Sequence, residues 1–200
     1  MGGADAPQLR ELAVLAQGCQ ACDLWKRGTQ TVFGEGPAEA RLVLVGEQPG
    51  DREDKAGHPF VGPAGRVLND ALAEAGIERE RIYVTNAVKH FKWTPRGKRR
   101  IHERPNRTEV VACHQWLERE LASIADEAVV VALGATTGQS LFGASFRVGA
   151  SRGVPLDLDG RPVVATIHPS AVLRSRDAQE RAAAFGGLVT DLRLAGELAS

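Results

Sequence analysis

Several residues in this chain are of types, and at spacings, that can do chemistry. His102 lies in "PRGKRRIHERP", Pro95 to Pro105, crowded by Arg96, Lys98, Arg99, Arg100 and Arg104. A solvated basic loop with a bystander histidine is the plainest account of that stretch. Phosphate binding is the functional one, since Arg and Lys supply affinity for a nucleic-acid backbone without sequence choice. Neither says what the histidine does. A second stretch, "GEQPGDREDKAGHPFVGPAG" from Gly46 to Gly65, is rich in glycine and proline and holds Glu47, Gln48, Asp51 and Phe60. Such a loop brings backbone close to a flat ligand. It lacks the G-x-x-x-x-G-K-[ST] pattern of a Walker A phosphate loop. Phe60 is either a stacking platform or a core residue. A solvated loop is the default for Asp51, Glu53 and Asp54, whereas Glu47 adjoins an apolar run. A third stretch, "HPSAVLR", puts His168 ahead of a Pro-Ser helix start, with Arg174 about one and a half turns on as a candidate phosphate contact. The fourth is Cys19-x-x-Cys22 with Cys113 far downstream and His90 as the best candidate fourth ligand. Spacing alone favours zinc in a three-cysteine, one-histidine site. An iron–sulfur cluster, in which imidazole can replace a thiolate, is the alternative. Buried free cysteines suit Cys113 but fit the C-x-x-C poorly.

The elements that must position these residues read as alternating strands and helices. "RLVLVG", "RIYVTN", "AVVVALG" and "PVVATI" are apolar runs of buried-strand length. Helical periodicity covers "QLRELAVLAQ", "AGRVLNDALAEAG", "TEVVACHQWLERELASI", a short "ATTGQSLFG" and "AQERAAAFGGLVTDLRLAGEL". Asn106 is a plausible N-cap, with Glu109 three residues on. This order predicts a three-layer αβα sandwich around a four-stranded parallel sheet. Ligands of such sheets bind beyond the carboxyl ends of the strands. The segments there are "GEQPG", "NAVKH", "GAT" and "HPS", so Glu47, Gln48, Asn86 and His168 gather at one end.

The totals bound the partners. The chain has 200 residues, expected to form one domain over residues 1–200, with 25 Lys+Arg against 25 Asp+Glu. Any footprint for an anionic partner is therefore a local patch. No apolar run reaches a membrane span, and "MGGADAPQLRELA" lacks the pattern of a secretory signal, so a cytoplasmic protein with no membrane partner is expected. Three cysteines cannot all pair.

Taken together, "GEQPGDREDKAGHPFVGPAG", "YVTNAVKH", "HPSAVLR" and the cysteines resemble the uracil-DNA glycosylase superfamily, specifically its iron–sulfur family 4. Gln48, where ordinary family 4 enzymes read GEAPG, His90 in place of a cysteine, and the inserted "GKRRIH" resemble the UdgX subgroup, which becomes covalently attached to uracil-containing DNA. The resemblance implies a [4Fe-4S] cluster on Cys19, Cys22, His90 and Cys113, in place of the zinc that spacing favours. It implies uracil stacked on Phe60, read by Asn86, and held by backbone from Gly46 to Gln48. Asp51 and Arg174 belong to the substrate-binding set, and Lys98, Arg99 and Arg100 to the DNA-binding set. His168 would stabilise charge on the departing base. His102 would attack the sugar, Glu47 would orient it and take its proton, and Gln48 would help seat the loop. An ordinary imidazole pKa of ~6.5, disfavoured further by nearby cations, leaves His102 neutral at pH 7. The expected outcome is one turnover, with single-stranded uracil-DNA the preferred partner and the protein a monomer. A conventional turning-over family 4 glycosylase is the alternative, and a non-catalytic nucleic-acid-binding metalloprotein is a third reading.

Overall fold

A computed structural model describes residues 6–200. In chain order its elements are α1 (Ala6–Gln17), β1 (Leu42–Gly46), α2 (Asp51–Ala56), α3 (Pro63–Ala75), β2 (Tyr83–Asn86), β3 (Trp93–Arg96), β4 (Arg99–His102), α4 (Arg107–Ala122), β5 (Val129–Leu133), α5 (Ala135–Phe142), α6 (Val148–Ser151), β6 (Pro155–Leu158), β7 (Arg161–Thr166), α7 (Ser170–Leu173) and α8 (Ala178–Leu198). The main sheet has the order β2-β1-β5-β7-β6. Strands β2, β1, β5 and β7 are parallel, as the apolar runs predict.

Period-two alternation explains why those runs are apolar throughout. Leu42 and Leu44 of β1 face one core with Leu68 and Leu72 of α3 and Leu188 and Leu192 of α8. Val43 and Val45 face the other, with Leu9 of α1 and Leu117 and Leu121 of α4. Both faces are covered, which is the αβα sandwich. Helix α4 starts as its sequence predicts: Asn106 Oδ1 accepts from Glu109 N (2.9 Å) and Asn106 N donates to Glu109 Oε2 (2.7 Å).

Three expectations are corrected. The sheet has five strands, because β6 pairs antiparallel with β7. The turn between them holds Asp159 and Gly160, both at positive φ (52° and 88°), the Asp-Gly signature of a tight hairpin. The basic stretch is not a loop but an antiparallel hairpin, β3–β4, with Arg96 opposite Arg99 and Gly97 (φ 60°) turning the chain. Finally, "DREDKA" is helix α2, and its Glu53 and Asp54 are buried rather than solvated.

Register brings the strand ends level. Gly46 lies beside Asn86, and Leu133 beside Thr166. Strand β1 has β2 on one side and β5 on the other, so the chain reverses its order there, where open α/β sheets bind ligands.

Candidate active site

A cavity of about 790 Å³ opens over those strand ends, walled by Glu47, Phe60, Asn86, His102, His168 and Arg174. That is a suitable size for a small flat ligand. Glycine is required in its floor: a Cβ on Gly46 would stand 2.3 Å from Asn86 Oδ1 and 2.6 Å from Phe60 Cζ. Phe60 faces both the core and the cavity. It is a core residue, and its ring also lines the cavity, stacked against His168 with centroids 6.1 Å apart. Its backbone is left-handed (φ 56°), a conformation costing a non-glycine residue roughly 1–3 kcal/mol and found at ligand clamps. Gly65 permits it, since a Cβ there would lie 1.7 Å from Phe60 O. Asn86 is buried at the end of β2 with its side chain in the cavity wall. Among the described residues nothing hydrogen-bonds its amide, so a donor and an acceptor are offered to a ligand.

The tautomer of His168 follows from its neighbours. Ser170 N donates to His168 Nδ1 (3.2 Å), and Arg174 Nη1 donates to Ser170 Oγ (2.8 Å), which lies 2.8 Å from the same Nδ1. Nδ1 is therefore the acceptor and Nε2 carries the proton. Burial, then the Arg174 charge, then His102, push the His168 pKa down to about 4. The ring is a neutral hydrogen-bond donor across the whole neutral range.

Glu47 follows β1 directly and faces two ways. Its Oε2 accepts from Thr136 Oγ1, which in turn accepts from Arg104 Nε (2.9 Å). Its Oε1 lies 3.5 Å from His102 Nε2. His102 is half-exposed; burial lowers its pKa, Glu47 pulls the other way, and Arg174 adds to the lowering. A neutral imidazole thus meets a carboxylate at the mouth of the cavity.

Two anchors hold the hairpin that carries His102. Gln48 Nε2 donates to Lys92 O (3.2 Å) and Glu103 O (3.0 Å), and its Oε1 accepts from Lys92 N (3.2 Å). One amide therefore clamps both strands where they leave the body. That contact is the kind expected of a residue that seats the loop, and the Gln48 side chain is itself buried. Arg100 is the second anchor. Its guanidinium meets Asp51 Oδ1 (2.5 Å) and Asp54 Oδ2 (2.7 Å) and lies over the rings of Phe91 and Trp93. That guanidinium already has two carboxylate partners, Asp54 buried and Asp51 partly exposed, which leaves less of its charge for a DNA phosphate. Lys98 and Arg99 are exposed at the hairpin tip. Asp51 lines the cavity, but its carboxylate is also taken up: burial would raise its pKa, yet hydrogen bonds from Lys55 and Arg100 hold it below the usual range. Arg100 and His102 are two apart on β4, so they share a face.

The cysteines lie outside the cavity lining and come together elsewhere. Cys19, Cys22 and Cys113 pack in one apolar cluster with Trp116 and Val88. Trp116 Nε1 donates to Cys19 Sγ (3.1 Å), and Lys89 N to Cys113 Sγ (3.2 Å). Burial pushes the Cys113 thiol up to about 12, so it holds its proton until a metal replaces it. Among the described residues no three His, Cys, Asp or Glu side chains converge closely enough to hold a single metal ion. N–H groups aimed at the sulfurs of Cys19 and Cys113 suit thiolates that hold an iron–sulfur unit. His90 is buried beside Thr31, whose hydroxyl donates to Ala16 O (3.0 Å) and so accepts from His90 Nε2 (3.0 Å). Nδ1 is left with the lone pair.

A buried ion pair joins the two regions. Lys89 and Glu120 are wholly inaccessible and in contact. Lys89 Nζ also donates to Asn86 O (2.7 Å) and Thr85 Oγ1 (2.7 Å), while Glu120 accepts from Tyr83 OH (2.9 Å).

Residues 33–193 match a family model described as the Uracil DNA glycosylase superfamily. The chain belongs to the uracil-DNA glycosylase superfamily. It is 42% identical to a type-4 uracil-DNA glycosylase of Thermotoga maritima over 82% of each chain. It is 38% identical to a type-4 enzyme of Archaeoglobus fulgidus over 78% of each chain. It is 34% identical to one of Pyrobaculum aerophilum, covering 83% of this chain and 85% of that one. Among the described residues no helix is long and apolar enough to cross a membrane.

Three contributors escaped the sequence reading. Thr136 lay in "GAT" at a strand end, where the sheet rule pointed, but a threonine carries no signal of its own. In the sequence Arg104 reads only as one charge among several, and Ser170 only as a helix start.

Proposed function

We propose that this protein excises uracil from DNA and that His102, rather than water, captures the sugar left behind. The type-4 relatives support excision, and they favour the conventional version in which water takes the sugar and the enzyme turns over. One observation favours capture: His102 Nε2 stands 3.5 Å from Glu47 Oε1 at the mouth of the cavity, on a hairpin clamped by Gln48 and Arg100.

The target base leaves the stack and enters the cavity. Phe60 supplies a face for its ring. The free amide of Asn86 pairs with its Watson–Crick edge, and cytosine, with donor and acceptor reversed, is rejected. Neutral His168 donates through Nε2–H to a uracil carbonyl. As the C1′–N1 bond breaks, its electron pair leaves on the base, and that donor stabilises the developing charge. The lone pair of the His102 ring forms the new bond to C1′. The proton on the ring's other nitrogen passes to the Glu47 carboxylate, leaving a neutral N-substituted imidazole. Reversal would expel an imidazolate, a poor leaving group, so the adduct persists. Lys98 and Arg99 hold phosphates at the exposed hairpin tip, Arg174 at the rim. Single-stranded DNA is the proposed substrate form, and a monomer suffices because every proposed group comes from one chain. Cys19, Cys22, Cys113 and His90 through Nδ1 would hold a [4Fe-4S] cluster. Its contribution is structural: it would tie the segment after Cys22 to α4.

A denaturing gel of protein mixed with single-stranded uracil-DNA tests the proposal. A shifted band that survives heat and detergent, and is lost in His102→Ala, is expected. No band, together with free uracil in excess over protein, leaves the conventional glycosylase. No uracil release of any kind removes both.

A further inference from the structure

A second groove of about 480 Å³ runs alongside the cavity and shares two residues with it, Arg104 and Thr136. Helix α4 and helix α5 form its sides. Pro105, Val110 and Val111 give it an apolar wall, and Val111 is 63% exposed, although nothing in the two cores requires an apolar side chain there. Arg104 and Arg107 stand on its rim, and Gln139 contributes an amide that Arg104 Nη2 contacts at 3.2 Å.

Resting on the glycosylase reading above, we propose that this groove binds a nucleotide flanking the uracil in the same strand. Its base would lie on the valine wall, and its phosphate would meet Arg104 and Arg107. Charge and continuity argue for a nucleotide. A strand whose uracil fills the main cavity must leave over its rim, and the groove begins there. Its cations sit beside an apolar surface, as in single-strand sites, though the surface here is aliphatic where those use aromatic rings. The groove also reaches the chemistry. Arg104 Nε holds Thr136 Oγ1, which holds Glu47, so a phosphate drawn onto Arg104 bears on the carboxylate beside His102.

Three single-stranded oligonucleotides test this: one with uracil central, one with nucleotides only 5′ of it, one with nucleotides only 3′. Binding is read with a non-cleavable uracil nucleotide, and excision or adduct formation with ordinary deoxyuridine. The variants are Arg107→Ala and Val111→Glu, both at exposed positions outside the catalytic groups. Each is expected to weaken the central oligonucleotide about tenfold, weaken one of the end-labelled pair equally, and leave the other at the wild-type value. That unaffected oligonucleotide also reports that the variant is folded. Arg107→Ala should lower the salt slope by about 0.7, the loss of one phosphate contact on a single strand. The proposal is overturned if both variants bind all three like wild type, or if all three weaken alike, which is diffuse charge. Failure of the wild type to release uracil or form an adduct sinks the glycosylase reading instead, whatever the binding pattern.

Discussion

At the scale of single residues, the proposed mechanism asks two histidines to stay neutral for different purposes. As the proposed nucleophile His102 would need its lone pair, and burial holds its pKa below the ordinary ~6.5 despite Glu47. Adduct formation should therefore be flat from pH 8 down to about 6.5 and fall only at lower pH, as protonation removes the nucleophile. His168, pushed down to about 4, stays a neutral donor much further. In His102→Ala the rate of uracil release should thus persist into the acid range where the wild-type adduct has already failed. Single-turnover rates of both proteins across pH 4–8 check this, and parallel profiles would contradict it. Glycine is equally specific here. Gly65→Ala sets a Cβ against the carbonyl of Phe60, so a loss of about 1–3 kcal/mol in urea unfolding is expected, with excision falling alongside.

At the scale of elements, the hairpin is the unusual part. A two-stranded ribbon of this length is marginal alone. Here it is held by Gln48 at its base and by Arg100 on the face that also bears His102. Gln48→Ala and Arg100→Ala should therefore slow adduct formation by about 10–100-fold, the scale of an ångström's misplacement of a reacting group. Uracil release should change far less, because Asn86 ends β2, His168 follows β7 and Phe60 sits between α2 and α3, all outside the hairpin. Quenched-flow gels paired with free-uracil measurements separate the two steps. The hairpin was legible in part. Gly97 between basic runs is a turn signal, yet the strands carry Pro95 and few β-formers, so local preference suggested a loop. What makes them strands is the pair of side-chain anchors, one 44 and one 49 residues away in sequence.

At the scale of the whole molecule, the Lys89–Glu120 pair lies between the cysteines and the cavity. Removing one partner leaves a buried charge, so Lys89→Met should cost about 3–5 kcal/mol in a denaturant titration. A smaller loss would mean that the network relaxes. The cysteine segment also supports the hairpin, since Arg27 O accepts from Trp93 Nε1 (3.0 Å) and Thr29 Oγ1 from Arg100 Nη1 (3.2 Å). Protein carrying the proposed iron–sulfur cluster should be brown. Stripping the iron should lower the melting temperature and the adduct yield together, and a colourless protein rich in zinc would refute the cluster. Much of this was legible in the sequence, because strand runs, the Asn106 cap and the rule for sheet ends depend on neighbours a few residues apart. Those local patterns determined the αβα layers and brought Glu47, Asn86 and His168 to one edge. The fifth strand, the burial of Glu53 and Asp54, and the duties of Arg100 and Thr136 were decided only in three dimensions. A charged or hydroxyl side chain reads as solvated until its partner is known, and here each partner comes from a distant part of the chain.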